Sequence, residues 1–210
     1  MCRKILSAAV STQEWTSQIT PTAGINILWG ENAEQIFRAL AGILDIWPKE
    51  RLVQEPISVQ AEICWSDGAI YGISGEKHNA TQCIGVKYIK NPTVRNEWDL
   101  VKRFHKQRFH DARKTDCFFD GNQVKRTQSL GEGDLILDGF YAFINAVPEQ
   151  EKGRPLFLCN FLERTDEAVD LQPVFDALLA TERQIFIAVP QYYEIKLLEG
   201  MTYDTIFCTP

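Results

Sequence analysis

Short apolar runs and stretches of helical periodicity succeed one another along this chain, and the change of period divides it. The run from Gly24 to Gly30 is apolar and bounded by glycines, which predicts a buried strand. A helix is expected at once afterwards: Ile36, Phe37, Leu40, Ala41, Ile43, Leu44 and Trp47 fall on one face, and Pro48 ends the pattern. Asn32 is placed to cap that helix, with Gln35 three residues on to return the bond. From Ile57 the period becomes two. Val59, Ala61, Ile63 and Trp65 alternate, Asp67 and Gly68 make a hairpin turn, Ile70 to Ser74 runs back, and Cys83 to Ile89 supplies a third strand. These residues predict an antiparallel β-lobe, about 57–90, inserted into an α/β protein. Residues 95–114 read as a helix carrying Trp98, Val101, Phe104 and Phe109, and a second helix is expected from Leu130 to about Val147. Together they predict a small helical lobe over about 93–147. Pro155 to Leu158 reads as a buried strand, Asp170 to Glu182 as a helix, and Gln184 to Val189 as another buried strand. Apolar strands alternating with amphipathic helices at both ends imply a parallel sheet. Residues 1–210 are read as one domain.

Composition narrows the class without naming a function. The chain is 45% hydrophobic and 24% charged, the profile of an ordinary globular protein. Acidic residues outnumber basic ones by 28 to 22, a net charge of −6, which argues against dedication to nucleic acid or an anionic membrane. No apolar run reaches the length of a membrane span, and polar residues from Ser11 to Glu14 follow Arg3 and Lys4 too soon for a signal-peptide core. A cytoplasmic location is expected. The six cysteines are scattered, with no pair closer than nineteen positions. That spacing predicts reduced, structural thiols and no zinc site.

Several motifs in order resemble those of ABC and SMC-type ATPases. A strand, then Gly30, Glu31 and Asn32, then a helix, is similar to the phosphate-loop region of that family. Gln128, Ser129, Leu130, Gly131 and Glu132 resemble the ABC signature, and the strand from Pro155 through Cys159, Asn160 and Phe161 stands where the second acidic motif would be. Asp166 falls at the place of the family's following aspartate, and Arg183 to Pro190 resembles the strand that leads to the switch histidine. The resemblance runs over about residues 1–208. It implies a P-loop-NTPase-like α/β sheet in the manner of an ABC ATPase head, with the β-lobe and helical lobe appended. Under it the strands ending at Trp29, Leu158 and Val189 are parallel neighbours. Gly30, Cys159 and Pro190 then surround a vestigial nucleotide pocket, with Glu31 or Glu34 filling the place of a phosphate and capping the helix.

The same alignment implies that the chemistry is gone. The pattern G-x-x-x-x-G-K-[ST] is absent, and only Glu31, Asn32, Ala33, Glu34 and Gln35 separate Gly30 from Ile36. The connection is about three residues short, and it holds two acids where a polyanion would lie. Unit charges ~5 Å apart repel by roughly 3 kcal/mol at an effective dielectric near 20. A helix N-terminus attracts an anion by only about 0.3–1 kcal/mol. Cys159 offers a soft sulfur where magnesium needs oxygen, the Asn160 amide cannot take a proton from water, and Pro190 cannot act as the switch histidine. No catalytic residue, cofactor or metal is therefore expected.

Other residues carry two readings each. Ser129 to Glu132 serves equally as a helix capping box, and Asp166 as a helix-start residue rather than a dimer contact. Residues 95–114 hold seven Lys or Arg against three acids. Arg103, Lys106 and Arg108 among the phenylalanines form either a weak nucleic-acid patch or a solvated helix face. His105, His110, Asp111 and Cys117 lack metal-ligand spacing, since the histidines are five apart. The function implied is a non-catalytic ABC-fold protein working through protein contacts, as a homodimer or as the silent subunit beside an active ATPase. Family members pair head to tail, so Ser129 and Gly131 would touch the nucleotide of the other subunit. The alternatives are a divergent ATPase and a nucleic-acid-binding protein.

Overall fold

The computed structural model describes residues 2–44, 56–65, 68, 70–77, 85–89, 118–120, 153–159, 170–189 and 198–208. The described residues form two five-stranded sheets. The first is antiparallel, in the order β2-β1-β4-β5-β6. Its strands are β1 (Cys2–Ser11), β2 (Thr16–Ile19), β4 (Ile57–Trp65), β5 (Ile70–Lys77) and β6 (Gly85–Ile89). The second is parallel throughout, in the order β10-β3-β9-β8-β7. It comprises β3 (Ile25–Trp29), β7 (Phe118–Asp120), β8 (Leu156–Cys159), β9 (Ile185–Val189) and β10 (Asp204–Phe207). Two helices accompany them, α1 (Ala33–Ile43) and α2 (Gln172–Ala180).

The β-lobe is therefore larger than residues 57–90, because β1 and β2 complete its sheet from the N-terminal side. The period of β1 hides it. Ile5 is buried, and so are Ala8 and Val10, which have the opposite parity. A register shift between Ile5 and Ser7 exchanges the two faces, as a β-bulge does, so the alternation that marks a strand is interrupted. In β4 the alternation is intact: Ile57, Val59, Ala61, Ile63 and Trp65 are buried, and Gln60 and Glu62 are exposed. Gly68 turns the chain from β4 into β5 with φ +82, its N–H donating to the carbonyl of Trp65 at 2.9 Å.

The two sheets enclose α1. Ala33, Ile36, Phe37, Ala39, Leu40, Ala41 and Ile43 are buried, so the helix is covered over more of its surface than the single face read from the sequence. On one side it meets Ile5, Val10, Val59, Ile63 and Ile73 of the antiparallel sheet, and on the other Leu28, Phe157 and Phe186 of the parallel sheet. Phe157 stacks on Phe186 with centroids 4.9 Å apart, and Phe37 meets Phe157 edge-on at 5.3 Å. The opposite face of the parallel sheet, Ile25, Ile27, Leu156, Leu158, Ile185 and Ile187, is covered by Val174, Phe175 and Leu178 of α2. The layers run antiparallel sheet, α1, parallel sheet, α2.

At its start α2 is held by Asp170, whose Oδ1 accepts the Gln172 N–H at 3.0 Å, with Pro173 in the first turn where a missing N–H costs nothing. Within the span expected for a helical lobe, Phe118–Asp120 is instead strand β7 of the parallel sheet. A three-residue strand is too short to carry a period. The helices expected at 95–114 and 130–147 otherwise lie outside the described residues.

Candidate functional site

The parallel register brings the carboxyl ends of three strands to one sheet edge. Trp29 of β3 stands opposite Val189 of β9, and Leu158 of β8 opposite Ile187. Gly30 and Cys159 therefore emerge on the same edge with β9 between them, the edge at which open α/β sheets bind ligands. Cys159 is the last residue of β8 and pairs with Asp120 of β7. Asn160, Pro190, Ser129, Gly131, Glu132, Asp166, Arg103, Lys106 and Arg108 all lie outside the described residues.

Between β3 and α1 the chain has three residues, Gly30, Glu31 and Asn32. The Ala33 N–H donates to the Gly30 carbonyl at 3.0 Å, closing a tight turn, and the Ile36 N–H donates to the Asn32 carbonyl at 2.9 Å, starting the helix. Gly30 adopts φ +109, which only glycine takes without strain. A Cβ built there would stand 2.8 Å from the Cys208 carbonyl oxygen and 3.1 Å from the Phe207 ring. The end of β10 thus lies directly against the turn. The Cys208 N–H donates to the Trp29 carbonyl at 2.8 Å, and Phe207 packs on Trp29 with centroids 4.2 Å apart. Phe207 remains 53% exposed, an aromatic ring at the rim of this edge. Burial pushes the Cys208 thiol up to about 12, against the smaller opposing effect of its contact with the Trp29 backbone.

The two acids do not play the part expected of them. Among the described residues, no side-chain cap bond is seen at Asn32, the N-cap position of α1. Glu34 Oε1 instead accepts from Arg38 Nη2 one turn further on, and Glu31 is exposed. The capping box expected of Asn32 and Gln35 is absent as well. Asn32 has φ −99 and ψ 6, away from the extended conformation that turns a capping side chain back over the first turn. It is only 8% exposed, and its Nδ2 has no hydrogen-bond partner among the described residues.

Phe207 and Cys208, which close over Gly30, were not legible as contributors to this edge. The segment Asp204–Phe207 has the exposure pattern of a polar edge strand, and only its pairing with β3 reveals it. Among the described residues no group of three His, Cys, Asp or Glu side chains is arranged to hold a metal ion. None of their helices is long and apolar enough to cross a membrane.

A layered α/β head with this parallel sheet and antiparallel lobe is the architecture of the SMC and ABC-type ATPase heads. Among solved structures, the SMC head domain from Thermotoga maritima matches over 93% of this chain and 92% of its own, at 9% identity and a TM-score of 0.57. The recombination mediator protein RecF matches over 97% and 96% at 10% identity, with a TM-score of 0.46. The likeness to the SMC head is one of fold. No family model and no curated protein matches the sequence.

Proposed function

We propose that this chain is a non-catalytic protein of the ABC-type ATPase fold that acts through contacts with another protein subunit, as the silent partner of an active ATPase. The observation that carries this reading is the three-residue turn between β3 and α1. A polyphosphate is held by a longer glycine-rich loop whose successive N–H groups wrap it and whose lysine meets its outer charge. Here a tight turn replaces that loop, it includes Glu31, and the β10 end packs against Gly30. Cys159 and Asn160 in place of paired carboxylates point the same way. A subunit can lose its own phosphate loop and still complete a partner's site, because proteins of the family this sequence resembles pair head to tail. Ser129 and Gly131 are the residues that would reach the partner's nucleotide.

Calorimetric titration with Mg-ATP tests the reading. No saturable heat is expected up to millimolar nucleotide, and no ATP turnover. Saturable binding would overturn it in favour of a divergent ATPase.

A further inference from the structure

Two buried carboxamides sit where the antiparallel and parallel sheets meet, and their bonds form one connected set. Gln184, 2% exposed, immediately precedes β9. Its Oε1 accepts the Ile5 N–H at 2.7 Å, and its Nε2 donates to the Ile5 carbonyl at 2.9 Å. Ile5 lies beside the register shift of β1, in the part of that strand that β2 does not reach, since β2 pairs only with Ala8 to Ser11. The carboxamide takes the place of a neighbouring strand at that point: one donor and one acceptor answer one backbone acceptor and one backbone donor.

The set continues through Thr22. Gln184 Nε2 also donates to the Thr22 carbonyl at 2.7 Å. Fully buried Asn26, in β3, accepts the Thr22 N–H on Oδ1 at 2.8 Å. Its Nδ2 lies 3.2 Å from the Thr22 carbonyl, 3.0 Å from that of Gly24 and 3.2 Å from that of Ile185. The Thr22 hydroxyl then donates to Asp204 Oδ2 at 2.8 Å, at the first residue of edge strand β10. Every link shares an atom or a residue with the next, from β1 through Gln184, Thr22 and Asn26 to β9 and β10.

We propose that this network is a joint that couples the antiparallel lobe to edge strand β10, so that loosening either end loosens the other. Thr22 is the shared element. It is held by its carbonyl to both carboxamides, by its N–H to Asn26 and by its hydroxyl to β10. Removing Gln184 from such a set leaves buried backbone groups of Ile5 without their partners and frees Thr22 to shift, which releases Asp204. The far end of β10 packs against Gly30, so the joint gives the antiparallel lobe a physical route to the carboxyl edge of the parallel sheet.

Amide hydrogen exchange on the full chain, followed residue by residue, tests the coupling. The readouts are the Ile5 amide, the Cys208 amide that bonds Trp29, and the Phe175 amide of α2 as a control. Gln184→Met keeps the side-chain length and removes all three of its bonds. It is expected to speed exchange at Ile5 and at Cys208 by tenfold or more, with Phe175 changed less than about twofold. Asp204→Ala, on an exposed strand, removes the acceptor of the Thr22 hydroxyl and is expected to speed exchange at Ile5 severalfold from the opposite end. The proposal is overturned if Gln184→Met affects Ile5 alone, if Asp204→Ala leaves Ile5 unchanged, or if all three amides accelerate equally.

Discussion

Replacing Gly30 by alanine imposes two separate penalties at the turn between β3 and α1, and two other glycines allow them to be measured apart. At φ +109 an alanine is strained by roughly 1–3 kcal/mol. Its Cβ would also stand 2.8 Å from the Cys208 carbonyl oxygen, a backbone atom that can yield only if the end of β10 moves. That movement weakens the Cys208 to Trp29 hydrogen bond, worth about 1 kcal/mol. The sum is about 2–4 kcal/mol, or a fall in Tm of roughly 5–15 °C for a chain of this size. Gly68, at φ +82, has nothing within 4 Å of its virtual Cβ, so Gly68→Ala reports the backbone strain alone. Gly24 likewise meets nothing and has no positive φ, and Gly24→Ala is expected to change stability by no more than about 0.5 kcal/mol. Urea unfolding of the three variants, with midpoint and m-value fitted separately, gives the comparison. A Gly30→Ala variant no less stable than Gly68→Ala would mean that β10 does not press on the turn.

Three further outcomes are expected. Cys208 should resist thiol reagents at pH 8 in the folded protein and react only on unfolding; rapid labelling at native pH would contradict its burial. Because its pKa is raised from 9.0 to about 12, the folded state favours the protonated thiol, so that contribution to stability is complete below about pH 9 and is lost as pH rises towards 12. Binding to single-stranded nucleic acid should be weak and fall steeply with salt, given the net charge of −6. Tight binding at physiological salt, abolished by reversing Arg103, Lys106 and Arg108, would favour a nucleic-acid role.

What could be read from the residues was whatever carried an uninterrupted period. The strand ending at Trp29, the strands before Cys159 and Pro190, the hairpin at Gly68 and both described helices follow from buried apolar runs or clean alternation. Their parallel arrangement follows from the strand–helix order. The strands that escaped share one physical feature, the lack of a continuous pattern. In β1 a bulge reverses parity after Ile5, β2 has Ile19 as the one apolar residue of its four, β7 is three residues long, and β10 is an edge strand with three of its four residues exposed. At the candidate site, the few residues between β3 and α1 were legible because they are local. The approach of Cys208 to Gly30 was not, since it joins residues far apart in sequence through a sheet pairing. The expected capping by Asn32 failed for a related reason. A capping motif specifies partners, but the backbone angles at Asn32 are set by the turn that Gly30 begins.

The way α1 is held bears on how far this fold depends on its N-terminal turn. In a phosphate-binding head the helix after the first strand presents its N-terminus to a polyanion, which would satisfy its free N–H groups. In this chain α1 has no side-chain cap, and its first-turn acid is paired with Arg38 instead. What secures the helix is its position between two sheets, with Ile36, Phe37, Leu40 and Ile43 among its buried residues. Each large apolar side chain so buried contributes about 1.5–3 kcal/mol, against the 0.3–1 kcal/mol that an anion adds at an exposed helix end. Packing from both sides therefore outweighs the electrostatic term several times over. The N-terminal turn, with Glu31 exposed and the end of β10 against Gly30, adds little to the hold on the helix by comparison. A fold held in this way depends little on an anion at the α1 N-terminus, which is consistent with the contact-only role proposed above.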